Sequence, residues 1–230
     1  MKKKYSITLM AAVFILCSCA SRENRFIFQP EPQGEPERLI ESWEIIESQS
    51  GRLGASLPDW VSLYLNGLNR EIETMPAFID KYIFIAVNKG NNIIALRQWA
   101  SAFAVEQDLP RLVTARIERR MSASTDLYPD DEYGDFFEAF IKSAIDAEYP
   151  ESKIEERFWF RRRIQIKTDD DAESPPPEDR YEFLVLLSSD RTAMQGRIRA
   201  LMDGIKTTVP PTRNQAAAIN RIKQTFFERF

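Results

Sequence analysis

Hydrophobic and polar residues alternate most clearly between residues 158 and 167, in the stretch FWFRRRIQIK. One side of an extended chain would carry Phe158, Phe160, Ile164 and Ile166, and the other side Trp159, Arg161, Arg163, Gln165 and Lys167. A period of two residues predicts a half-buried β-strand. The run YEFLVLLSS, residues 181–189, is more continuously apolar and predicts a more buried strand. Because the intervening DDDAESPPPED is acidic and rich in proline, we predict an antiparallel hairpin with a long, exposed loop.

A third strand is predicted at YIFIAV, residues 82–87, and its continuous apolar character is typical of burial on both faces. Elsewhere, apolar residues at helical spacing predict helices. These are residues 38–48 with Leu39, Ile40, Trp43 and Ile46; 59–75, capped by Asp59; 92–122, with Ala95, Trp99, Ala102 and Phe103 inward; a Phe-rich helix from Asp130 or Asp131 with Phe136, Phe137 and Phe140; 190–205, capped by Ser189 or Asp190; and 212–230, with Thr212 and Gln215 in a capping box. Pro110 is expected to kink or divide the long helix.

The order of these elements indicates an α+β fold. Its core reads β-α-β-β-α, which predicts a small, mostly antiparallel sheet of about three strands with helices on one face. Extra helices are expected at the N- and C-terminal ends. Residues 38–230 are enough for a single domain of this kind.

The N-terminus has the pattern of a secretory signal peptide. Lys2, Lys3 and Lys4 precede an apolar run of about 10 residues, which is too short to cross a bilayer, and small residues follow it. The next stretch, residues 20–37, is polar and contains three prolines. We interpret it as a flexible tether that leads to the domain.

Leu16-Cys17-Ser18-Cys19 resembles the bacterial lipobox, with Leu16 three residues before Cys19 and the small Ser18 directly before it. The resemblance implies a lipoprotein signal peptide over residues 1–18 and a tether over 19–37. Cys19 would carry diacylglycerol on its sulfur and an acyl chain such as palmitate on its amine, which together hold a protein firmly to a membrane. Ala20 after the cysteine favours the outer membrane, by analogy with enteric bacteria. Ordinary cleavage that leaves a free thiol is the alternative.

Several stretches of the domain resemble the Lpp-twenty family of bacterial envelope lipoproteins. They are Pro58-Asp59-Trp60, YIFIAVNKGNN, FWFRRRIQI and YEFLVLLSS, within a family-like core at about residues 57–205. The family is similar to the N-terminal domain of a flagellar assembly protein. The resemblance implies an envelope lipoprotein that works by binding, and it brings no catalytic residues.

Composition narrows the chemistry further. The chain has no histidine, which excludes Ser-His-Asp triads and imidazole metal sites. With Cys17 removed and Cys19 acylated, the mature domain has no thiol for a disulfide or a metal. Loss of the three N-terminal lysines takes the formal charge from −4 to −7, which disfavours nucleic acid as a partner. We expect no cofactor, no metal and no enzymatic activity.

The candidate site is a basic patch formed by Trp159, Arg161 and Arg163, which could bind an anion or a partner protein. In the alternative interpretation these arginines pair with nearby acids, including Asp169, Asp170 and Asp171. The aspartates themselves could hold Ca²⁺ or simply form a solvated loop.

Three functions follow from these features. The first is a non-catalytic binding, scaffolding or structural lipoprotein, attached to the membrane through Cys19 and contacting an unknown envelope protein. The second is a carrier of a small ligand or lipid, with an apolar cavity between the Phe-rich helix and the sheet. The third is a carboxylate-based hydrolase, which would need two carboxylates converging in a cleft.

Overall fold

An antiparallel β-sheet forms the centre of the domain. The computed structural model describes residues 40–52, 56–125, 134–166, 176–207, 210–228 and 230. Its strands are β1 (Ile40–Ser48), β2 (Gly51–Arg52), β3 (Lys81–Gly90), β4 (Ser152–Ile166) and β5 (Glu178–Asp190). They lie in the order β2-β1-β4-β5-β3, and neighbouring strands are antiparallel. The sheet therefore has four long strands and one short one, where about three were predicted.

Helices surround the sheet and give the predicted α+β class. They are α1 (Asp59–Leu65), α2 (Asn69–Ile72), α3 (Ile93–Ala102), α4 (Val105–Thr125), α5 (Gly134–Ile145), α6 (Arg191–Gly204) and α7 (Arg213–Thr225), with a final 3-10 turn at Phe226–Glu228. The extra C-terminal helix is confirmed as α7. Its capping box is also confirmed, since Thr212 accepts from the Gln215 amide and Gln215 from the Thr212 amide.

Helices cover both faces of the sheet, so the prediction of helices on one face was wrong. One face packs against α1 and α2 through a cluster that includes Trp60, Val61, Ile72, Phe158, Phe160, Leu184 and Leu186. Neighbouring residues of a strand point to opposite faces. Accordingly, the Nε of Arg157 donates to the Ala100 carbonyl of α3, and Trp99 packs edge-on to Phe183. Strand β3 is buried on both faces, as predicted.

The segment predicted as an N-terminal helix, residues 38–48, is instead strand β1 over its described part. It pairs with β4 from Ile40 opposite Ile166 to Ser48 opposite Phe160. Nine residues with a few apolar positions fit a helical and an extended period about equally well. The pairing decides between them, and its partner lies more than a hundred residues further along the chain.

Two predicted helices are divided. The helix at 59–75 separates into α1 and α2 around Gly67, whose φ of 71° ends α1. Asp59 is the first helical residue and Pro58 occupies the cap position, so Asp59 does not act as the predicted cap. The long helix breaks at Phe103, with a ψ of 119°, and Pro110 lies inside α4.

The break after α3 has a local cause. Phe103 is extended, and the Asp108 carboxylate accepts from the Ala104 amide directly before α4, which satisfies that backbone N–H at the new helix start. The buried stripe of α3 is Leu96 and Ala100, continuing to Phe103, whereas Ala95 and Ala102 are exposed.

The predicted hairpin pairing and one further helix cap agree with the structure. Strands β4 and β5 form the antiparallel hairpin, with Phe158 opposite Leu184 and Arg161 opposite Tyr181. Asp190 caps α6 by accepting from the Ala193 amide.

Several predicted features fall outside the described residues. They are the signal peptide at 1–18, lipidated Cys19, the tether at 19–37, the helix start at Asp130 or Asp131, and the aspartates 169–171. Among the described helices, none is both long enough and apolar enough to cross a membrane.

Candidate partner-binding face

The predicted site residues lie together on one side of the β4–β5 hairpin. Arg161 is opposite Tyr181 and Arg163 is opposite Asp179, and paired residues of an antiparallel ladder share a face. We use the term hairpin face for Trp159, Arg161, Arg163, Asp179 and Tyr181. The sequence pattern placed the three β4 residues correctly, and the structure adds the two from β5.

Asp179 joins the two arginines. Its Oδ2 accepts from Nη2 of Arg161 at 2.8 Å, and its Oδ1 accepts from Nε of Arg163 at 2.9 Å. A second bond from Arg163 at 3.2 Å makes that contact bidentate. These hydrogen bonds, led by the one from Arg163, hold the pKa of Asp179 below its usual range, and the same bond raises the pKa of Arg163.

A weaker acidic contact comes from the neighbouring strand. Glu44 of β1 lies 3.8 Å from Nη1 of Arg163, and both side chains are exposed. The interpretation that these arginines pair with nearby acids is therefore confirmed for the described residues. The acids come from β5 and β1.

Aromatic rings fix the rest of the hairpin face. The rings of Trp159 and Tyr181 are 6.1 Å apart. The guanidinium of Arg97, from α3, lies 5.3 Å from the Trp159 ring, and that of Arg161 lies 5.4 Å from the Tyr181 ring. Each of the two neighbouring rings thus has a cation close to it, and each cation–π contact favours the observed side-chain conformation.

This arrangement suits a protein partner better than a small anion. A free phosphate would have to compete with Asp179 for the fork of Arg163. The half-buried Trp159, Arg161 and Tyr181 and the exposed Arg163, in contrast, are of the residue types that dominate binding energy at protein interfaces. Because these side chains are already held in place, little conformational entropy is lost when a partner binds.

A charged pair on the opposite face was missed at the sequence level. Arg162 contacts Glu182, whose side chain is only 1% exposed, and the ring of Trp43 lies 5.8 Å from the Arg162 guanidinium. The alternation of β4 could have revealed this pair, because residue 162 lies on the same strand face as Phe160 and Ile164, which is the apolar face.

The other described carboxylates with close basic neighbours are engaged in structural contacts. Glu155 accepts from Lys81 at 2.7 Å and from the Ser188 hydroxyl at 2.6 Å, and Lys153 lies 3.2 Å away. Burial alone raises the pKa of Glu155, but these hydrogen bonds outweigh it and lower the pKa to about 2. The described residues contain no group of three His, Cys, Asp or Glu side chains that could hold a metal ion.

The space between the Phe-rich helix and the sheet contains aromatic side chains. Phe140 of α5 lies 5.9 Å from Phe226, Phe226 lies 5.3 Å from Phe230, and Phe230 lies 5.0 Å from Tyr82 of β3. Phe140, Phe226 and Tyr82 are each 1% exposed. The row connects helix and sheet by direct ring contacts.

Comparisons with protein-family models, with curated proteins and with solved structures find no match for this chain. The resemblance to the Lpp-twenty family rests on the sequence motifs alone.

Proposed function

We propose that this chain is a lipid-anchored, non-catalytic binding module of the bacterial cell envelope. In this proposal Cys19 attaches the protein to the membrane, the domain performs no catalysis, and the hairpin face contacts a protein partner. The outer membrane is the proposed location because Ala20 follows the cysteine.

The bridge from Asp179 to Arg161 and Arg163 is the observation that carries the binding role. It holds two arginines beside Trp159 and Tyr181 in a fixed arrangement on a partly exposed surface. Trp, Tyr and Arg are also the residue types in which protein interfaces are enriched relative to the rest of the surface.

The carrier function has less support from the described packing. It requires an apolar cavity between α5 and the sheet, and the row from Phe140 to Tyr82 occupies that region with buried rings. A packed core of this kind leaves few voids larger than a water molecule.

Site-specific photo-crosslinking in intact cells tests the proposal. A photoreactive residue replaces Gln165, which follows Arg163 by two residues on the same strand face. The matched control carries it at the exposed Asn220 of α7. We expect a protein partner to be captured from position 165 and not from position 220, and we expect capture to fall when Trp159→Ala is added.

The same experiment with Cys19→Ala tests the anchor. Capture from the anchored protein alone supports the membrane attachment, whereas equal capture from both forms assigns the location to the domain. Capture from position 220 alone contradicts the role of the hairpin face. Absence of any captured protein would favour the carrier function.

A further inference from the structure

Among the described strands, β3 forms an edge of the sheet, because the strand order ends with β3 next to β5. In an antiparallel ladder, alternate residues direct both backbone groups toward the neighbouring strand and the others direct them outward. The register of β3 with β5 is continuous from Lys81 to Gly90. The outward orientation of one residue therefore fixes that of the whole strand.

Side chains protect the first half of this edge. The Ile83 amide donates to Oε1 of Glu73 at 3.2 Å, and the Ile83 carbonyl accepts from Arg116 at 3.2 Å. Arg191 donates to the Lys81 carbonyl at 2.9 Å. Ile83 thus points outward, and its backbone groups are already satisfied.

The second half of the edge is open within the described part of the chain. By alternation from Ile83, the outward residues are Ile85, Val87 and Lys89, and no described residue bonds to their outward backbone groups. Ile85 and Val87 are half-buried and pack beside the core cluster. An edge of this kind is a template for another strand.

Charge selects how a second copy of the strand could pair there. A two-fold axis through Lys89 would place Lys89 against its own copy. An axis through Ile85 would place Lys89 against Lys81 and would require the Ile83 backbone groups that Glu73 and Arg116 occupy. Like charges directly opposite each other destabilise a strand pair.

An axis through Ala86 would place Lys89 opposite Ile83 and again require the occupied backbone groups of Ile83, and one through Asn88 would place Ile85 opposite Asn91, beyond the end of β3. An axis through Val87 avoids all of these conflicts. Val87 then lies opposite its own copy, and Ile85 lies opposite Lys89 on each side. All three outward residues exchange two hydrogen bonds with their opposites, and the lysine stem covers the half-buried isoleucine while its ammonium stays in water. The segment that pairs, Ile85–Lys89, stops short of Ile83, whose backbone groups Glu73 and Arg116 already occupy.

We infer that two copies of this chain associate through antiparallel pairing of their β3 edges, Ile85–Lys89, about a two-fold axis at Val87. The interface is isologous, so the same short strand segment serves both copies. This association is independent of the hairpin face, since Ile85 and Val87 pack on the opposite side of the sheet from Trp159.

Disulfide cross-linking of the full chain in detergent tests the geometry. Val87→Cys places two cysteines opposite each other at a spacing that a disulfide can bridge. Ile79→Cys is the matched control, because Ile79 is 64% exposed but lies before β3 and far from the axis. We expect a cross-linked dimer from Val87→Cys, above the level of the parent chain, and none from Ile79→Cys.

Sedimentation of full-length variants tests the register. Val87→Pro removes an outward N–H without removing a bond to β5, and we expect the dimer to weaken by about tenfold or more, since one hydrogen bond is lost on each side of the axis. Ile85→Lys opposes Lys89 and should also weaken the dimer. Adding Lys89→Glu to Ile85→Lys should restore it, because the facing charges then differ in sign.

Thermal unfolding by circular dichroism checks that each variant is folded. Equal cross-linking from positions 79 and 87, or an unchanged dimer in Val87→Pro, would overturn the inference. Capture of a different protein at Val87 in place of a second copy would overturn it in favour of strand addition by a partner.

Discussion

Arg162 and Glu182 form an ion pair on the side of the sheet that packs against Trp60 and Val61. The exposed fractions of their side chains are 15% and 1%. They are diagonal neighbours, because Glu182 is opposite Phe160 and Arg162 is opposite Arg180. A charged pair therefore lies beside the apolar cluster that β4 and β5 share with α1.

Removal of one member of this pair should be costly. Glu182→Gln leaves Arg162 largely buried without its counter-charge, and we expect the free energy of unfolding to fall by about 3–5 kcal/mol. Replacement of both members by Arg162→Met and Glu182→Leu leaves no unpaired charge, so the free energy of unfolding should fall by less than about 1 kcal/mol or rise. Urea unfolding measures both changes.

The Glu178–Arg180 pair on the same hairpin provides the control. Its N–O distance is 3.1 Å, but both side chains are more than a third exposed. Glu178→Gln should cost no more than about 1 kcal/mol, because exposed pairs are screened by water. Equal losses from Glu178→Gln and Glu182→Gln would contradict the buried character of the inner pair.

Acid should destabilise the protein through Glu155. Its pKa lies near 2 in the folded protein and near 4.5 otherwise, so the unfolded chain binds the proton more readily. The stabilising contribution is complete above about pH 4.5 and is lost as the pH falls toward 2. Allowing for solvent screening, we expect about 1–2 kcal/mol from this group. Urea unfolding at several pH values should show a flatter dependence over this window in Glu155→Gln.

Asp179 should limit the affinity of the hairpin face for anions. In Asp179→Ala, Arg161 and Arg163 lose the carboxylate that bridges them. We expect pyrophosphate to bind roughly threefold more tightly or better at low salt, because two adjacent guanidinium groups become available. Titration calorimetry measures the change, with Glu178→Ala as the control of equal charge. No difference between the two variants would show that Asp179 does not occupy the arginines.

The sequence predicted correctly those features that depend on residues close together in the chain. The alternation around Phe158 and Phe160 identified β4, and the caps at Asp190 and Thr212 identified two helix starts. Each of these features depends on residues within a few positions of one another. The same alternation placed Trp159, Arg161 and Arg163 on one face before their partners were known.

Features that depend on distant pairing were not predicted. Strand β1 becomes a strand because Ile40 pairs with Ile166, and nine residues could not show this alone. The partner acid of Arg161 and Arg163 depends on the hairpin register, which places Asp179 opposite Arg163. Eleven residues separate Ile166 of β4 from Glu178 of β5, more than a short hairpin turn that would set the register, so the register could not be counted from the sequence.

Gly67 should be required for the break between α1 and α2. Its φ is 71°, where an added Cβ is strained, although no atom lies within 4 Å of that Cβ position. We expect Gly67→Ala to cost about 1–2 kcal/mol from backbone conformation alone. Gly196→Ala in α6 is the control, because its Cβ would also meet nothing but its backbone is helical. That change should stabilise by roughly 0.5–1 kcal/mol. Thermal unfolding with the same sign for both variants would contradict the explanation.

Phe226 should hold the Phe-rich helix against the sheet. Its ring contacts Phe140 and Phe230 and is 1% exposed, so Phe226→Ala should cost about 3–5 kcal/mol. The neighbouring Phe227 is half-buried, and Phe227→Ala should cost clearly less. The backbone contacts of Arg120 with residues 225 and 226 persist in both variants, so the comparison isolates the rings. Urea unfolding gives the two values. If Phe226→Ala costs no more than Phe227→Ala, the aromatic row is not closely packed in solution, and the small-ligand carrier regains support over the binding module.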